Sequence, residues 1–284
     1  MIETTDDPGD LGIAPRAMDL ASGLLEEAVV RGDLMGAALQ ISRDGTVLSP
    51  RCFGRRELAD DGAPVEPDTL FLVASVTKPI VAAAAVLLIE RGRFSLDDAV
   101  VDLVPEFANS GKECVQVRHL LTHTSGLPDM LEENLDLRAK HAHLDTFVEH
   151  ICQVKLLFEP GTRISYQSTG IAMLGEIVKR TEGIPIQAFL RREFFDPLGL
   201  GDTSLGMQED RRERMSQVKI PGGGFEYGGQ SAETWNWNSD YWLNFGAPWG
   251  GMLTTVGEMT TLCRLFLNGG RIGEARILGE ATAR

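Results

Sequence analysis

Phe71-Leu72-Val73-Ala74-Ser75-Val76-Thr77-Lys78-Pro79 runs directly into Ile80-Val81-Ala82-Ala83-Ala84-Ala85-Val86-Leu87-Leu88-Ile89. The apolar run from Ile80 to Ile89 falls well short of the roughly 20 residues needed to span a bilayer. As a helix it is apolar on nearly every side, which places it at the centre of a fold. At i and i+3, Ser75 and Lys78 share one face of its first turn. Pro79 is tolerated there because first-turn N–H groups lack helical partners. A lysine beside such a helix is desolvated, and the helix N-terminus adds positive potential; both favour the neutral amine. Bringing an ordinary lysine, pKa about 10.4, to act as a base at neutrality costs about 4 kcal/mol, which a water-excluding site can supply. The plain alternative is that Ser75 caps a core helix while Lys78 snorkels outward. The pair alone does not choose.

Ser-x-x-Lys occurs a second time, at Ser216-Gln217-Val218-Lys219. A chain of this length carries about one such match by chance. The second copy runs into Ile220-Pro221-Gly222, where no rigid helix can hold the two side chains, and it reads as surface chain.

The 284 residues, 43% hydrophobic and 24% charged, describe one large globular domain or two intimate ones. Twenty-seven basic against 41 acidic residues leave a net charge of −14, which repels phosphate backbones and anionic membranes alike. No nucleic-acid or membrane partner is expected. Cys52, Cys114, Cys152 and Cys263 are irregularly spaced and form no CxxC pair. The acidic Met1-Ile2-Glu3-Thr4-Thr5-Asp6-Asp7 has neither the positive leader nor the apolar core of a secretory signal. Reduced thiols in a cytoplasmic protein are the expectation.

Residues 1–16 read as a mobile lead-in. Leu20, Leu24, Leu25 and Ala28 recur at helical spacing and stop at Gly32. Leu39 and Ile41 alternate with polar residues, and Asp44-Gly45 before Thr46-Val47-Leu48 signals a hairpin with a primed turn. An early antiparallel hairpin argues against a doubly wound parallel sheet. From Ser95 to about Arg214 the pattern is mainly helical, with Ile171, Leu174 and Val178 marking a buried face closed at Gly183. Residues 221–249 change character, with Phe225, Tyr227, Trp235, Trp237, Tyr241, Trp242, Phe245 and Trp249 following three glycines. Glu258 to Leu267 reads as a final helix.

No GxSxG, GxGxxG or P-loop is present, so neither the usual α/β-hydrolase handle nor a nucleotide cofactor is indicated. His141 and His143, two apart, do not share a helical face, and with His150 they read as solvated polar residues rather than a zinc site. No metal and no cofactor are expected.

The segment around Ser75 resembles the nucleophile segment of the class C β-lactamase-like serine hydrolases. The resemblance continues through Gly92-Arg93-Phe94-Ser95-Leu96-Asp97-Asp98, Leu120-Leu121-Thr122-His123-Thr124-Ser125-Gly126-Leu127 and Pro160-Gly161-Thr162-Arg163-Ile164-Ser165-Tyr166-Gln167-Ser168-Thr169-Gly170. It extends to Pro197-Leu198-Gly199-Leu200-Gly201-Asp202-Thr203 and Gly250-Gly251-Met252-Leu253-Thr254-Thr255, in family order, over roughly residues 20–284. It implies an α/β fold: an antiparallel sheet flanked by helices, a mainly helical domain, and an active site between them. On this reading residues 17–91 and 250–284 form the sheet domain and residues 92–249 the helical domain. Ser75 is cast as nucleophile, Lys78 as its base partner and Tyr166 as the second acid/base on a facing loop. A phenol near a lysine can join the proton relay that serves leaving-group departure. His123 falls in the family's His-Thr-Ser-Gly segment and reads as a structural imidazole.

Two departures bear on substrate. The family's Tyr-x-Asn is here Tyr166-Gln167-Ser168, and a hydroxyl at Ser168 replaces an amide that can grip a substrate amide. That favours an ester. The family's third motif, Lys/His-x-Gly or Trp-x-Gly on a strand that also carries an oxyanion donor, has no counterpart in its expected place. Trp249-Gly250-Gly251 mimics it but precedes the helix the motif should follow; Trp249 reads instead as a wall of the substrate pocket. The family continues beyond the position of Arg284, so the sheet domain is expected to lack its C-terminal strands, leaving the chain a fragment of low stability and activity. The resulting expectation is a β-lactamase-type carboxylesterase acting through an acyl-serine on a small ester or amide. The alternatives are a non-catalytic binding or assembly module and a β-lactamase or D-alanyl-D-alanine carboxypeptidase. Oligomeric state is left open.

Overall fold

A computed structural model describes residues 3–220 and 235–284. Phe225 and Tyr227, counted above in the aromatic segment, lie outside the described residues.

The elements run β1 (Glu3–Thr5), α1 (Pro15–Val30), β2 (Gly36–Leu39), β3 (Ser42–Arg43), β4 (Thr46–Leu48), β5 (Arg51–Gly54), β6 (Phe71–Leu72) and α2 (Thr77–Glu90). Then come α3 (Val100–Leu103), α4 (Val117–Leu121), α5 (Asn134–Ala139), α6 (Leu144–Gln153), α7 (Ser168–Glu182), α8 (Ile186–Leu190) and β7 (Ser204–Leu205). The chain closes with α9 (Asp240–Phe245), β8 (Met252–Thr254), α10 (Val256–Leu267), β9 (Arg271–Ile272), β10 (Ala275–Arg276) and α11 (Glu280–Ala283). Short strands flanked by many helices make this an α/β fold.

The central helix forms where its composition requires. In α2, Val81, Ala84, Ala85 and Leu88 are fully enclosed, and small alanines let α7 approach closely with Ile171, Met173, Leu174 and Val178. Gly183 closes α7 in the left-handed region at φ 70°, where a Cβ would be strained. The Asp44-Gly45 hairpin is present as β3–β4, with Ser42 opposite Val47 and positive φ at both turn residues. Leu39 belongs not to that hairpin but to β2, which pairs with β5.

Helix α1 differs from its sequence reading in which face it buries. Leu20 and Leu24 are 61% and 68% exposed, while Met18 and Ser22 point inward, Met18 against Leu11 and Leu48. The helix packs on the two-stranded β2–β5 sheet, and only one stripe of it is covered. A third small sheet sets the site. It has the order β6-β8-β7, with Phe71 opposite Thr254, Leu72 opposite Leu253 and Ser204 opposite Leu253. Strand β7 thus comes from within the span read as helical.

Candidate active site

The β6–β8 pairing delivers Ser75. The Val73 N–H donates to the Met252 carbonyl (3.0 Å), and the Met252 N–H donates to Thr77 Oγ1 (3.1 Å). Clamped on both sides, the chain turns sharply. Ala74 sits at φ 46°, a left-handed conformation unfavourable for alanine, and Ser75 lies in a short 3₁₀ turn, Ala74–Val76. The α-helix proper starts at Thr77, two residues later than a reading with Ser75 at the helix head. The N-cap is Val76, with no side-chain capping bond, so the Ser75 hydroxyl does not serve as a cap.

Lys78 does not snorkel outward. Its side chain is buried, and Nζ donates to Ser75 Oγ (3.0 Å) and to the Trp249 carbonyl (2.8 Å). Nζ also lies 4.7 Å from the centre of the Tyr166 ring, on its face. Ser75, Lys78, Tyr166, Ser168 and Trp249 therefore line one cavity of about 270 Å3. All five residues singled out in the sequence are brought together.

Tyr166 is positioned by the His123 segment. His123, itself at φ 57°, packs its ring 4.9 Å from the Tyr166 ring. Its carbonyl accepts from the Ser165 N–H (2.9 Å), and its Nδ1 accepts from the Gln167 N–H (3.3 Å). Burial, reinforced by nearby Lys78, holds the His123 imidazole below its ordinary pKa, so the neutral ring that can accept is favoured. Gln167 is enclosed: Oε1 accepts from Ser125 Oγ (2.5 Å) and Nε2 donates to the His119 carbonyl (3.2 Å). The residue that fills the variable place of Tyr-x-Asn is thus the tie between two loops. The Ser168 N–H at the start of α7 donates to Asp129 Oδ1 (2.8 Å).

Sequence reasoning missed Asp129, Asn134 and Arg138, which share this cavity with Trp237 and Trp242. Only the tryptophans carried a signal, through their clustering.

The second Ser-x-x-Lys is not surface chain throughout. Ser216 is buried, its N–H donating to the Leu70 carbonyl (2.7 Å), while Lys219 Nζ donates to the Gly32 carbonyl (3.3 Å). The strand-like segment is held along Leu70, which is why it is covered. Ser216 and Lys219 line a larger groove of about 630 Å3, but no hydrogen bond joins their side chains among the described residues. Of the histidines, His141 stacks on Tyr241 at 4.5 Å, and His150 Nδ1 meets Glu133 Oε1 at 2.5 Å.

The family model described as Beta-lactamase matches residues 21–284. Esterase EstB of Burkholderia gladioli is 34% identical over 206 residues, covering 66% of this chain and 52% of its own length. Penicillin-binding protein 4 of Amycolatopsis lactamdurans is 31% identical over 258 residues, covering 87% of this chain and 64% of its own. The chain spans about half the length of curated relatives such as the esterase. Among solved structures, D-amino acid amidase from Ochrobactrum anthropi SV3, complexed with L-phenylalanine amide, superposes with a TM-score of 0.73 at 25% identity, over 93% of this chain and 73% of that one. A penicillin-binding protein homologue from Caulobacter crescentus reaches 0.79 at 24% identity, over 95% and 74%.

Proposed function

Since the chain belongs to the Beta-lactamase family, we propose that it is a serine hydrolase that forms an acyl-Ser75 intermediate and acts by preference on small carboxylic esters. The observation that carries this reading is the 3.0 Å contact between Lys78 Nζ and Ser75 Oγ, at a cavity that Tyr166 also lines.

In the proposed cycle, neutral Lys78 takes the Ser75 proton as Oγ adds to the ester carbonyl. The Ser75 backbone N–H donates to the oxyanion that develops. As the tetrahedral adduct collapses, Tyr166 gives a proton to the departing alkoxide and is reprotonated through Lys78. Water then adds to the acyl-serine, losing a proton to the same relay, and the acid leaves with Ser75 restored. The bond broken overall is acyl C–O, and one water is consumed.

Several features favour an ester. Ser168 offers a hydroxyl where the family's amide would hold a substrate amide, and Trp237, Trp242 and Trp249 give an acyl or aryl group apolar surface. The similar esterase from Burkholderia gladioli adds weight. A cytoplasmic setting belongs to the same reading, supported by four free thiols, two of them exposed. No helix among the described residues is long and apolar enough to cross a membrane. Comparing kcat/KM for a nitrophenyl ester and a chromogenic cephalosporin tests the substrate class. The ester should be the better substrate; higher efficiency on the cephalosporin overturns the choice and favours a β-lactamase.

A further inference from the structure

Two buried polar side chains face the Ser75 cavity with their hydrogen bonds unmade. Asn134, the first residue of α5, is 8% exposed; its backbone N–H donates to the Leu131 carbonyl (3.1 Å), but its side-chain amide makes no hydrogen bond among the described residues. Ser168, the first residue of α7, is 2% exposed; its N–H donates to Asp129 Oδ1, but its hydroxyl has no partner among the described residues. Both residues line the cavity that holds Ser75, and both line a smaller cleft beside it with Met130 and Trp249, which puts the amide and the hydroxyl on one wall. Buried amides and hydroxyls are nearly always bonded, because an unmade bond costs the full desolvation of the group. Two open ones on the wall of this cavity mark a place that a substrate fills.

The chemistry of the wall selects the group. Asp129 lines it as well, and its Oδ2 accepts no hydrogen bond among the described residues. A carboxylate only accepts, an amide donates and accepts through separate atoms, and a hydroxyl does both through one. A ligand group that satisfies all three must bring protons as well as lone pairs. A carboxylate, an ether or a bare carbonyl has no proton to give Asp129. Vicinal hydroxyls fit: each oxygen donates once and also accepts, and the pair spans two neighbouring protein groups. The carbon skeleton that carries them presents C–H groups to Trp237 and Trp249 in the same cavity.

We propose that Asn134 and Ser168 form a subsite for a hydroxylated part of the substrate, with Asn134 as the specificity-determining residue and Asp129 accepting a further hydroxyl proton. The inference rests on the hydrolase reading of the same cavity and narrows it to esters of polyols or of polyhydroxy acids. A site built to bond a substrate hydroxyl discriminates against the analogue that lacks it, because its own polar groups are then left unpaired. A diol on the alcohol arm and one on the acyl arm present the same chemistry, and each has its own probe.

Binding to Ser75→Ala, which lacks the nucleophile, tests the subsite without turnover. Trp237, Trp242 and Trp249 line the cavity, so their fluorescence reports its occupancy. The probes share one skeleton: glycerol 1-butanoate carries the diol on the alcohol arm, propyl 2,3-dihydroxybutanoate carries it on the acyl arm, and propyl butanoate carries none. At least one diol should bind about tenfold more tightly than propyl butanoate, a factor equal to about two neutral hydrogen bonds, although it is the less apolar ligand. Adding Asn134→Leu, similar in size but without the amide, should bring that diol to the level of propyl butanoate. Adding Ser168→Ala instead, a smaller change on a different helix, should weaken the preference and decides the matter if the first variant does not fold. Neither diol binding more tightly than propyl butanoate overturns the proposal, as does a preference undiminished in either folded variant. Propyl succinamate, a carboxamide of the same ester type, binding more tightly than both diols would overturn the choice of hydroxyls. Fluorophosphonate labelling of Ser75 in the unaltered protein reports separately on the hydrolase reading, so either can fail alone.

Discussion

The main-chain carbonyl of Trp249 accepts a 2.8 Å hydrogen bond from Lys78 Nζ, joining the lysine of α2 to the turn that leads into β8. The same ammonium reaches Ser75 Oγ, so the carbonyl holds Lys78 in place while leaving it one turn from the hydroxyl. Both of these hydrogen-bond partners, a carbonyl and a hydroxyl, are neutral.

Lys78→Arg follows directly from that geometry. Arginine keeps the charge and can bond both oxygens, but it cannot be deprotonated and so cannot act as a base. Ester kcat/KM should fall by about 10²- to 10⁴-fold, the range of a lost general base, while the circular-dichroism melt remains cooperative. Activity within a few-fold of the parent would remove Lys78 from the relay.

Tyr166→Phe should separate substrates by leaving group. Tyr166 lies beside Lys78 and is half-exposed to the cavity, placed to protonate a departing oxygen. An ethyl ester, whose alkoxide needs that proton, should lose about 10²- to 10⁴-fold. A nitrophenyl ester, whose phenolate departs unaided, should lose far less. Equal losses on the two esters would assign Tyr166 to binding alone.

Glycine is required at one of two adjacent positions. A Cβ on Gly251 would lie 2.4 Å from the Ala247 backbone nitrogen, whereas on Gly250 its nearest neighbour is Ala74 at 3.7 Å. Gly251→Ala should destabilise by about 1–3 kcal/mol, the range of an overpacked site, and displace the Trp249 carbonyl. Gly250→Ala should leave the melting temperature nearly unchanged. The check is the difference between their thermal midpoints.

The site was legible as far as short sequence carries it. Ser75, Lys78 and Tyr166 are chemistry-bearing residues in fixed local patterns, and the apolar run of α2 announced the core. Arg138 could not be found this way. Helix α5 has six residues, too few for a periodicity, and the rings on which Arg138 stacks lie about a hundred residues later. Leu20 and Leu24 misled for a related reason: helical spacing reports a shared face, not whether the fold covers it. The left-handed turn at Ala74 carries no glycine to mark it; tertiary clamping by Met252 imposes it.

Stability should decline below about pH 6.5, the ordinary histidine value. Burial lowers the folded pKa of both His119 and His123, so between the folded and ordinary values the unfolded chain binds more protons. Stability therefore rises with pH through that window and is lost on acidification. Protonated His123 would also lose the acceptor for the Gln167 N–H and place a second cation near Lys78. The melting temperature of His123→Gln should fall less steeply on acidification than that of the parent. Parallel curves would assign the loss elsewhere.

The central claim is that Ser75 is the nucleophile, and covalent labelling with a fluorophosphonate tests it most directly. Intact-mass analysis should show one adduct per chain, and peptide mapping should place it on Ser75. Ser75→Ala should take up none, and Lys78→Arg should label far more slowly than the parent. A label on Ser216 or any other serine, equal labelling of Ser75→Ala, or no adduct at all would contradict the account; the last outcome would favour a non-catalytic module built on the same cavity.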